Sequence, residues 1–176
     1  GMPNAREWVI RRVMEVIRNY DVDGIHFDDY FYYESSSSKL NDKKTYETYN
    51  KGQYSNIGDW RRNNTYLLVK ELSEQIRTEK PWVKFGISPS GVWGNKSEHP
   101  EGSDTANSYT NYESSFADTK KWVEEELIDY IAPQIYYTFG NTRASYGEVA
   151  DGWAGVVKGK DVHLYIGQAL YKINDD

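Results

Sequence analysis

Helix-like and strand-like segments alternate four times along the chain, and this alternation limits the possible fold more than any other feature. Strands are predicted at about 23–28, 83–88, 128–137 and 162–168. Each strand follows a segment whose apolar residues recur at helical spacing. Repeated units of this kind build parallel sheets with helical crossovers. The sequence therefore predicts an α/β fold with about four parallel strands.

The helices carry their own boundary signals. Asn4 and Glu7 resemble a capping box for the first helix, and Ser145 and Glu148 resemble one for the last. The second helix is predicted at about 58–79, ended by Pro81. A third is expected to follow the long polar loop 91–111. Its apolar side is made of Phe116, Val123 and Leu127.

One face of each predicted strand carries small or polar residues, whereas the other is aliphatic. The small residues are Gly24, Gly86, Ala132 and Gly167. This division is typical of a (β/α)8 (TIM) barrel, whose complete form takes roughly 250 residues. A chain of 176 residues with four visible strands is therefore predicted to be a partial barrel. We assign residues 1–176 to one domain, the C-terminal part of a larger barrel.

The stretch 22–33 points to function. Successive strand residues face opposite ways, so Ile25 and Phe27 share the aliphatic face, while His26 and Asp28 share the inner face. Asp28 thus lies at the carboxyl end of a strand, where barrel enzymes place their chemistry. Several aromatic residues follow at once, and the chain holds 16 Tyr and 6 Trp in all. Aromatic rings with a polar edge suit sugar binding, and the prediction is a carbohydrate-active site.

Composition excludes several other classes. The net charge is −6 with both signs interspersed, which argues against a nucleic-acid-binding surface. No run approaches the roughly 20 apolar residues of a membrane span. The chain has no cysteine, hence neither disulfides nor thiolate metal sites. No signal peptide is visible, and Gly1 before Met2 resembles the remnant of an expression tag.

Asp28 and Asp29 are the first candidates for catalysis. Glycoside hydrolysis generally uses two carboxyl groups about 5 Å apart for retention and about 6.5–9.5 Å apart for inversion. Neighbouring strand residues point oppositely, so the two are not expected to form that pair alone. Asp28 is the inward candidate, and Asp29 is expected to orient a loop. The alternative is that both are ordinary strand-end turn residues. His26 either hydrogen-bonds Asp28 or simply fills the barrel interior.

Further candidates for sugar binding lie at other strand ends and loops. Trp60 and Arg61 open the second helix, where they either hold a sugar or an acidic substituent or form a charge-balanced first turn. Gln134 and Tyr136 end the third strand facing inward, and either contact the sugar or fill the interior. The remaining candidates are Tyr30, Ser88 and Trp93.

Cofactors and metals are not expected. The chain has no glycine-rich phosphate loop, no Ser-His-Asp order and no zinc-type spacing. The string from His26 to Asp29 could suggest a metal site, but no second cluster of His or carboxylates at ligand spacing accompanies it.

Six segments carry a family resemblance, in order over nearly the whole chain: YDVDGIHFDDYFYY, DWRRNN, KPWVKFGISPSGVW, GSDT, IDYIAPQIYY and HLYIGQALYKI. They resemble the bacterial glycosyl-hydrolase-like family ten, (β/α)8-barrel proteins of the cell envelope. The resemblance implies that this chain supplies strands four to seven, with further strands before and after. It also implies an envelope or secreted location.

A partial barrel has open sheet edges, which invite pairing with another chain, so self-association is expected. The family pattern includes GSDT, which makes Asp104 the candidate for the second carboxylate. Glu34 is a competitor, and the acid could instead lie in the missing strands.

The sequence as a whole therefore predicts a fragment of a glycoside hydrolase catalytic domain. Its substrate would be a polysaccharide of the bacterial envelope or the gut, with Asp28 as nucleophile or base. The rival prediction is a non-catalytic barrel that only binds carbohydrate.

Overall fold

The structure is a computed structural model that describes residues 1–28, 31–32 and 39–172. Helices and strands alternate along it, and their bounds are as follows: α1 Pro3–Asn19, β1 Gly24–Phe27, α2 Lys43–Tyr49, α3 Ile57–Glu79, β2 Lys84–Ile87, α4 Thr119–Glu124, β3 Tyr130–Ile131, α5 Tyr146–Val157 and β4 His163–Leu164. A 3₁₀ turn covers Leu170–Lys172.

The strands form one parallel sheet in the order β1-β2-β3-β4. Gly24 pairs with Lys84, Gly86 with Tyr130, and Tyr130 with His163. Beyond the regular strands, isolated parallel bridges extend the pairing at Gln134, to Ser90 on one side and Gly167 on the other. Four parallel strands alternating with helices confirm the predicted partial (β/α)8 barrel.

The core lies between the sheet and the helices. Phe85, Ile87 and Ile131 project from the strands and are buried. They belong to one apolar cluster with Met14 of α1 and Leu72 of α3. Burying side chains of this size stabilises a fold by roughly 1.5–3 kcal/mol each. This layer fixes which face of each strand points toward the helices, and hence which face carries the polar residues.

The opposite face of the sheet is open and polar. His26 and Asp28 are exposed there, and the Tyr130 ring crosses directly over Gly86. A Cβ at Gly86 would lie 2.0 Å from that ring. Glycine is therefore required at this position because the aromatic ring occupies the space of a side chain.

Helix boundaries depart from the sequence prediction in two places. The capping box predicted at Asn4 is wrong, because α1 begins two residues earlier than that box implies, with Met2 as N-cap and Pro3 as its first residue. Proline suits the first position of a helix because it has no backbone N–H that would need a partner there. α4, which corresponds to the third predicted helix, is shorter than predicted. Phe116 and Glu126 flank it with φ of 49° and 53°, a left-handed conformation that cannot continue a helix.

Only one of the two hydrogen bonds of the capping box predicted for α5 is formed. The Ser145 hydroxyl accepts a hydrogen bond from the Glu148 backbone N–H at 3.3 Å. The Glu148 carboxylate, however, accepts from the backbone N–H of Asp104 at 2.9 Å. Glu148 thus connects α5 to the long loop 91–111 and does not cap its own helix.

Candidate active site

Asp28 directly follows β1 and lies exposed at the carboxyl-terminal edge of the sheet. Its Oδ1 accepts a hydrogen bond from the Gln134 side-chain amide nitrogen at 2.7 Å. The two residues are 106 positions apart in the chain, and only the parallel register of the strands brings them together. A carboxylate held by an amide donor at this edge is in the position where barrel enzymes perform chemistry.

Gln134 is itself held from several sides. Its backbone N–H donates to the Pro89 carbonyl at 2.9 Å, and its amide nitrogen also donates to the Ser88 carbonyl at 3.1 Å. The Ser88 hydroxyl in turn donates to the Ala132 carbonyl at 2.8 Å. The group that orients Asp28 is therefore anchored to β2 and to its own strand end.

Two glycines allow the backbone to close around Gln134. A Cβ at Gly91 would lie 2.7 Å from the Gln134 carbonyl oxygen, and one at Gly167 would lie 3.1 Å from its Cα. Both distances are too short for an ordinary side chain to fit without displacement. The small residues next to the strand ends thus set the position of the amide that contacts Asp28.

His26 and Tyr130 form the layer beneath Asp28. The His26 Nδ1 lies 2.9 Å from the Tyr130 hydroxyl, and the two rings stack with centroids 5.7 Å apart. The hydrogen bond considered between His26 and Asp28 is thus replaced by one to Tyr130. Burial is the main cause that raises the pKa of the Tyr130 hydroxyl, and the neighbouring Tyr165 and Asp129 raise it further. This layer supports the site from below.

Asp104, the candidate second carboxylate, is exposed on the long loop near the N-terminus of α5. The contacts of the described residues join it to Glu148, not to Asp28. The role of Asp104 as the second carboxylate stays a prediction.

Trp60 and Arg61 lie inside the fold. The Trp60 side chain is 3% exposed and its ring packs edge-on against Tyr46 of α2. Arg61 pairs with Asp42 through two hydrogen bonds of 2.9 and 2.6 Å and stacks over the Phe116 ring. A ring so deeply buried offers no face to a sugar. The structure gives both residues a role in attaching α2 and its preceding segment to α3.

Trp93 and Tyr136 have more open surroundings. The Trp93 ring packs with His99 and Tyr112, and its indole N–H donates to Asp118 at 3.0 Å. Tyr136 follows Gln134 at the strand end and is partly exposed, with its backbone carbonyl accepting from Lys172 Nζ at 2.8 Å. Tyr136 thus lies on the same edge as Asp28, whereas Trp93 packs among the residues of the long loop.

Three sequence candidates, Asp29, Tyr30 and Glu34, lie outside the described residues. In the described ranges, no group of three or more His, Asp or Glu side chains is arranged to hold a metal ion. The same ranges contain no helix long and apolar enough to cross a membrane.

Sequence reasoning missed several residues at this edge. The Tyr137 hydroxyl accepts from the Asn107 amide at 2.9 Å and joins the long loop to the end of the third strand. Burial raises the pKa of this hydroxyl. Phe139, Tyr146 and Gln168 were also overlooked. The run of aromatics after Gln134 was the available signal, but nothing in the sequence places α5 and the end of β4 beside it.

Comparison with known proteins agrees with the fold and with the resemblance seen in the sequence. The family model described as glycosyl hydrolase-like 10 matches residues 1–176. The chain is 49% identical over 177 residues to glycosyl hydrolase YngK of Bacillus subtilis, covering 100% of this chain and 35% of that protein. It is 49% identical over 175 residues to glycosyl hydrolase DigH of Escherichia coli K12, covering 99% of this chain and 39% of that protein.

The chain therefore spans 35–39% of the length of these curated relatives. The parallel sheet, with an exposed carboxylate at the end of β1, agrees with a partial barrel. Because the family model matches from the first residue to the last, this chain belongs to the glycosyl hydrolase-like 10 family.

Proposed function

We propose that this chain is the part of a glycoside hydrolase that carries the nucleophile or general base, Asp28. The reaction would be cleavage of O-glycosidic bonds in a polysaccharide of the bacterial envelope or the gut, by a protein of the cell envelope or a secreted one. The observation that carries the proposal is the exposed Asp28 carboxylate, oriented by Gln134 at 2.7 Å at the carboxyl end of the sheet. The names of the relatives, both glycosyl hydrolases, support it.

In this mechanism, Asp28 attacks the anomeric carbon or activates a water molecule, and a second carboxylic acid protonates the leaving oxygen. Gln134 holds the Asp28 carboxylate in one orientation, so that less freedom is lost when substrate arrives. Asp104 is the candidate for the second carboxylate, Glu34 is its competitor, and a residue from the rest of the protein is an alternative. Tyr30, Ser88, Trp93 and Tyr136 are the candidates for contacting sugar.

The test is Asp28→Asn in the full-length gene product, which removes the charge and keeps the shape. Release of new reducing ends is measured from peptidoglycan glycan strands and from a panel of dietary polysaccharides. Loss of the base should lower kcat by about 10²–10⁴-fold, while the variant still binds the polysaccharide in a pull-down assay. Glu79→Gln is the matched control, because it makes the same chemical change at a carboxylate at the far end of α3, bonded to Arg18 of α1.

Two results would contradict the proposal. Undiminished hydrolysis by Asp28→Asn would exclude Asp28 from the reaction. Binding without any turnover by the wild-type protein would favour the rival function, a non-catalytic carbohydrate-binding barrel.

A further inference from the structure

A cavity lies beside Gln134, on the same edge of the sheet as Asp28. Its volume is about 430 Å³, within the range of ligand pockets. Three segments line it: the residues that follow the third strand, the start of α5, and the residues that follow β4. These are the ends of neighbouring strands and the loops that leave them, which in barrels face the substrate.

A short chain of contacts joins this cavity to Asp28. Gln134, which donates to Asp28, also pairs with Gly167, and the Ile135 N–H donates to the Gly167 carbonyl at 3.1 Å. Gln168, the next residue, lines the cavity. Asp28 follows β1, whereas the segments that line the cavity follow β3 and β4, two and three strand spacings away, or roughly 10–15 Å at the usual distance between strands. That span corresponds to a few sugar units.

The cavity offers an aromatic face with a polar edge. The Phe139 side chain is 72% exposed, and its ring lies 5.0 Å from that of Tyr146 at an angle of 48°. The Gln168 amide nitrogen donates to the Tyr146 hydroxyl at 2.5 Å. Ring faces for C–H groups, next to amide and hydroxyl groups for sugar hydroxyls, are the combination that a pyranose ring requires.

The position of Phe139 is fixed although its ring is exposed. The Tyr146 N–H donates to the carbonyl of Thr138, the residue before Phe139, at 3.1 Å. On the neighbouring segment, Lys172 Nζ donates to the Tyr136 carbonyl at 2.8 Å. A phenyl ring that remains in water stabilises the fold little. Leu170, which is 78% exposed, lines the same cavity as Phe139. Exposed apolar side chains that lie together, unlike single ones, often mark a binding site.

We propose that Phe139, Tyr146 and Gln168 form a remote subsite, which binds a sugar unit of the polysaccharide several units away from the bond at Asp28. The inference rests on the proposed function and extends it, because it makes the enzyme selective for long chains. Binding energy from a remote unit can be used to lower the barrier at the reacting bond. The gain in kcat/KM should therefore occur only with substrates long enough to reach Phe139.

The experiment compares Phe139→Ala with wild type in the full-length gene product. The probes are chito-oligosaccharides and cello-oligosaccharides from disaccharide to hexasaccharide. kcat/KM is measured for each length, and Kd is measured in an Asp28→Asn background. Trp82→Ala is the matched control, since Trp82 is an aromatic side chain 64% exposed just before β2, away from the carboxyl-terminal edge. Thermal unfolding is recorded for every variant.

The expected result is a loss of about tenfold in kcat/KM and in affinity for the hexasaccharide, the equivalent of about 1.4 kcal/mol. The disaccharide should be unaffected, and Trp82→Ala should match wild type at every length. Tyr146→Phe, which removes the hydroxyl bonded to Gln168, should give a smaller loss with the same length dependence.

Three outcomes would overturn the subsite. Equal losses at all lengths would show that Phe139 does not act at a distance. A lower Tm with unchanged affinity would show that another segment of the protein covers the ring. Absence of binding and cleavage by wild type for every probe would refute the assignment of these sugars and the subsite with it. Cleavage that survives Asp28→Asn, with the length effect intact, would refute only the role of Asp28.

Discussion

The face of the sheet that contacts the helices buries Phe85, Ile87 and Ile131, whereas the opposite face leaves His26 and Asp28 exposed. Both faces come from the same strands in the same register. They differ in what surrounds them: one is closed by aliphatic side chains from α1 and α3, and the other by a few hydrogen bonds and stacked rings.

This difference separates what folds the chain from what it does. The helix-facing side chains are held by many non-directional contacts, each replaceable by a side chain of similar volume. The open face depends on individual partners, such as Gln134 for Asp28 and Tyr130 for His26. We therefore expect mutations on the first face to change stability and those on the second to change the site.

The largest stability effect should come from Phe85→Ala. Phe85 is 1% exposed and packs edge-on against Phe27 with centroids 5.4 Å apart. Emptying this position should lower the free energy of unfolding by about 3–5 kcal/mol, measured by urea denaturation. Trp82→Ala, three residues away but exposed, should change it by less than about 0.5 kcal/mol.

Equal losses in these two variants would contradict the comparison, because they would mean that the helix-facing layer contributes no more than the surface does. A loss below about 1 kcal/mol for Phe85→Ala would be smaller than the free energy of transferring a buried phenyl ring from water, and would show that this ring does not lie in the core.

The helix-facing layer could be predicted well from the sequence, for a physical reason. Strand side chains alternate with a period of two, so Phe85 and Ile87 could be assigned to one face without knowing their partners. The same rule placed Gln134 and Asp28 on the inner face. The short lengths of β3 and β4 could not be predicted, since hydrogen-bond geometry and not hydrophobicity decides where regular pairing ends.

A medium effect is expected from Gly86→Ala, next to Phe85 on the open face. The new Cβ would lie 2.0 Å from the Tyr130 ring, so the ring must move off the strand. Overpacking of this kind costs about 1–3 kcal/mol, and the ring should lose its stacking on His26. The free energy of unfolding and the aromatic circular dichroism signal are the measurements.

Tyr130→Ala in the same chain is the control for this clash. If the ring causes the cost, the double variant should be no less stable than Tyr130→Ala alone, and the two effects would be non-additive. Additive losses would mean that Gly86 is required by its backbone and not by the ring.

The site could be predicted from the sequence only in part. The residue types at strand ends identified Asp28 and Gln134, but spacing along the chain could not show that they share a hydrogen bond. Trp60 and Arg61 misled because a helix start was taken as exposed, whereas α2, which sequence reasoning did not identify, packs over them. Contacts made by an element that carries no clear periodic pattern are beyond such reasoning.

The smallest effect should come from Tyr130→Phe, which keeps the ring and removes the hydroxyl bonded to His26. Near neutral pH the free energy of unfolding should fall by about 0.5–1 kcal/mol, the lower part of the range for one hydrogen bond, because His26 is exposed. A loss above about 2 kcal/mol would mean that the open face is held as firmly as the core.

The same variant has a distinct pH dependence. Burial raises the pKa of Tyr130 above its ordinary value of 10.0, so the folded protein keeps this proton after the unfolded chain has begun to release it. Wild type should therefore lose stability as pH rises through 10.0 and toward the folded pKa. Tyr130→Phe should lose less over the same range, in chemical denaturation series at rising pH. Parallel curves for the two proteins would show that the Tyr130 hydroxyl is as hydrated in the fold as in the unfolded chain, and that this part of the open face shields nothing from water.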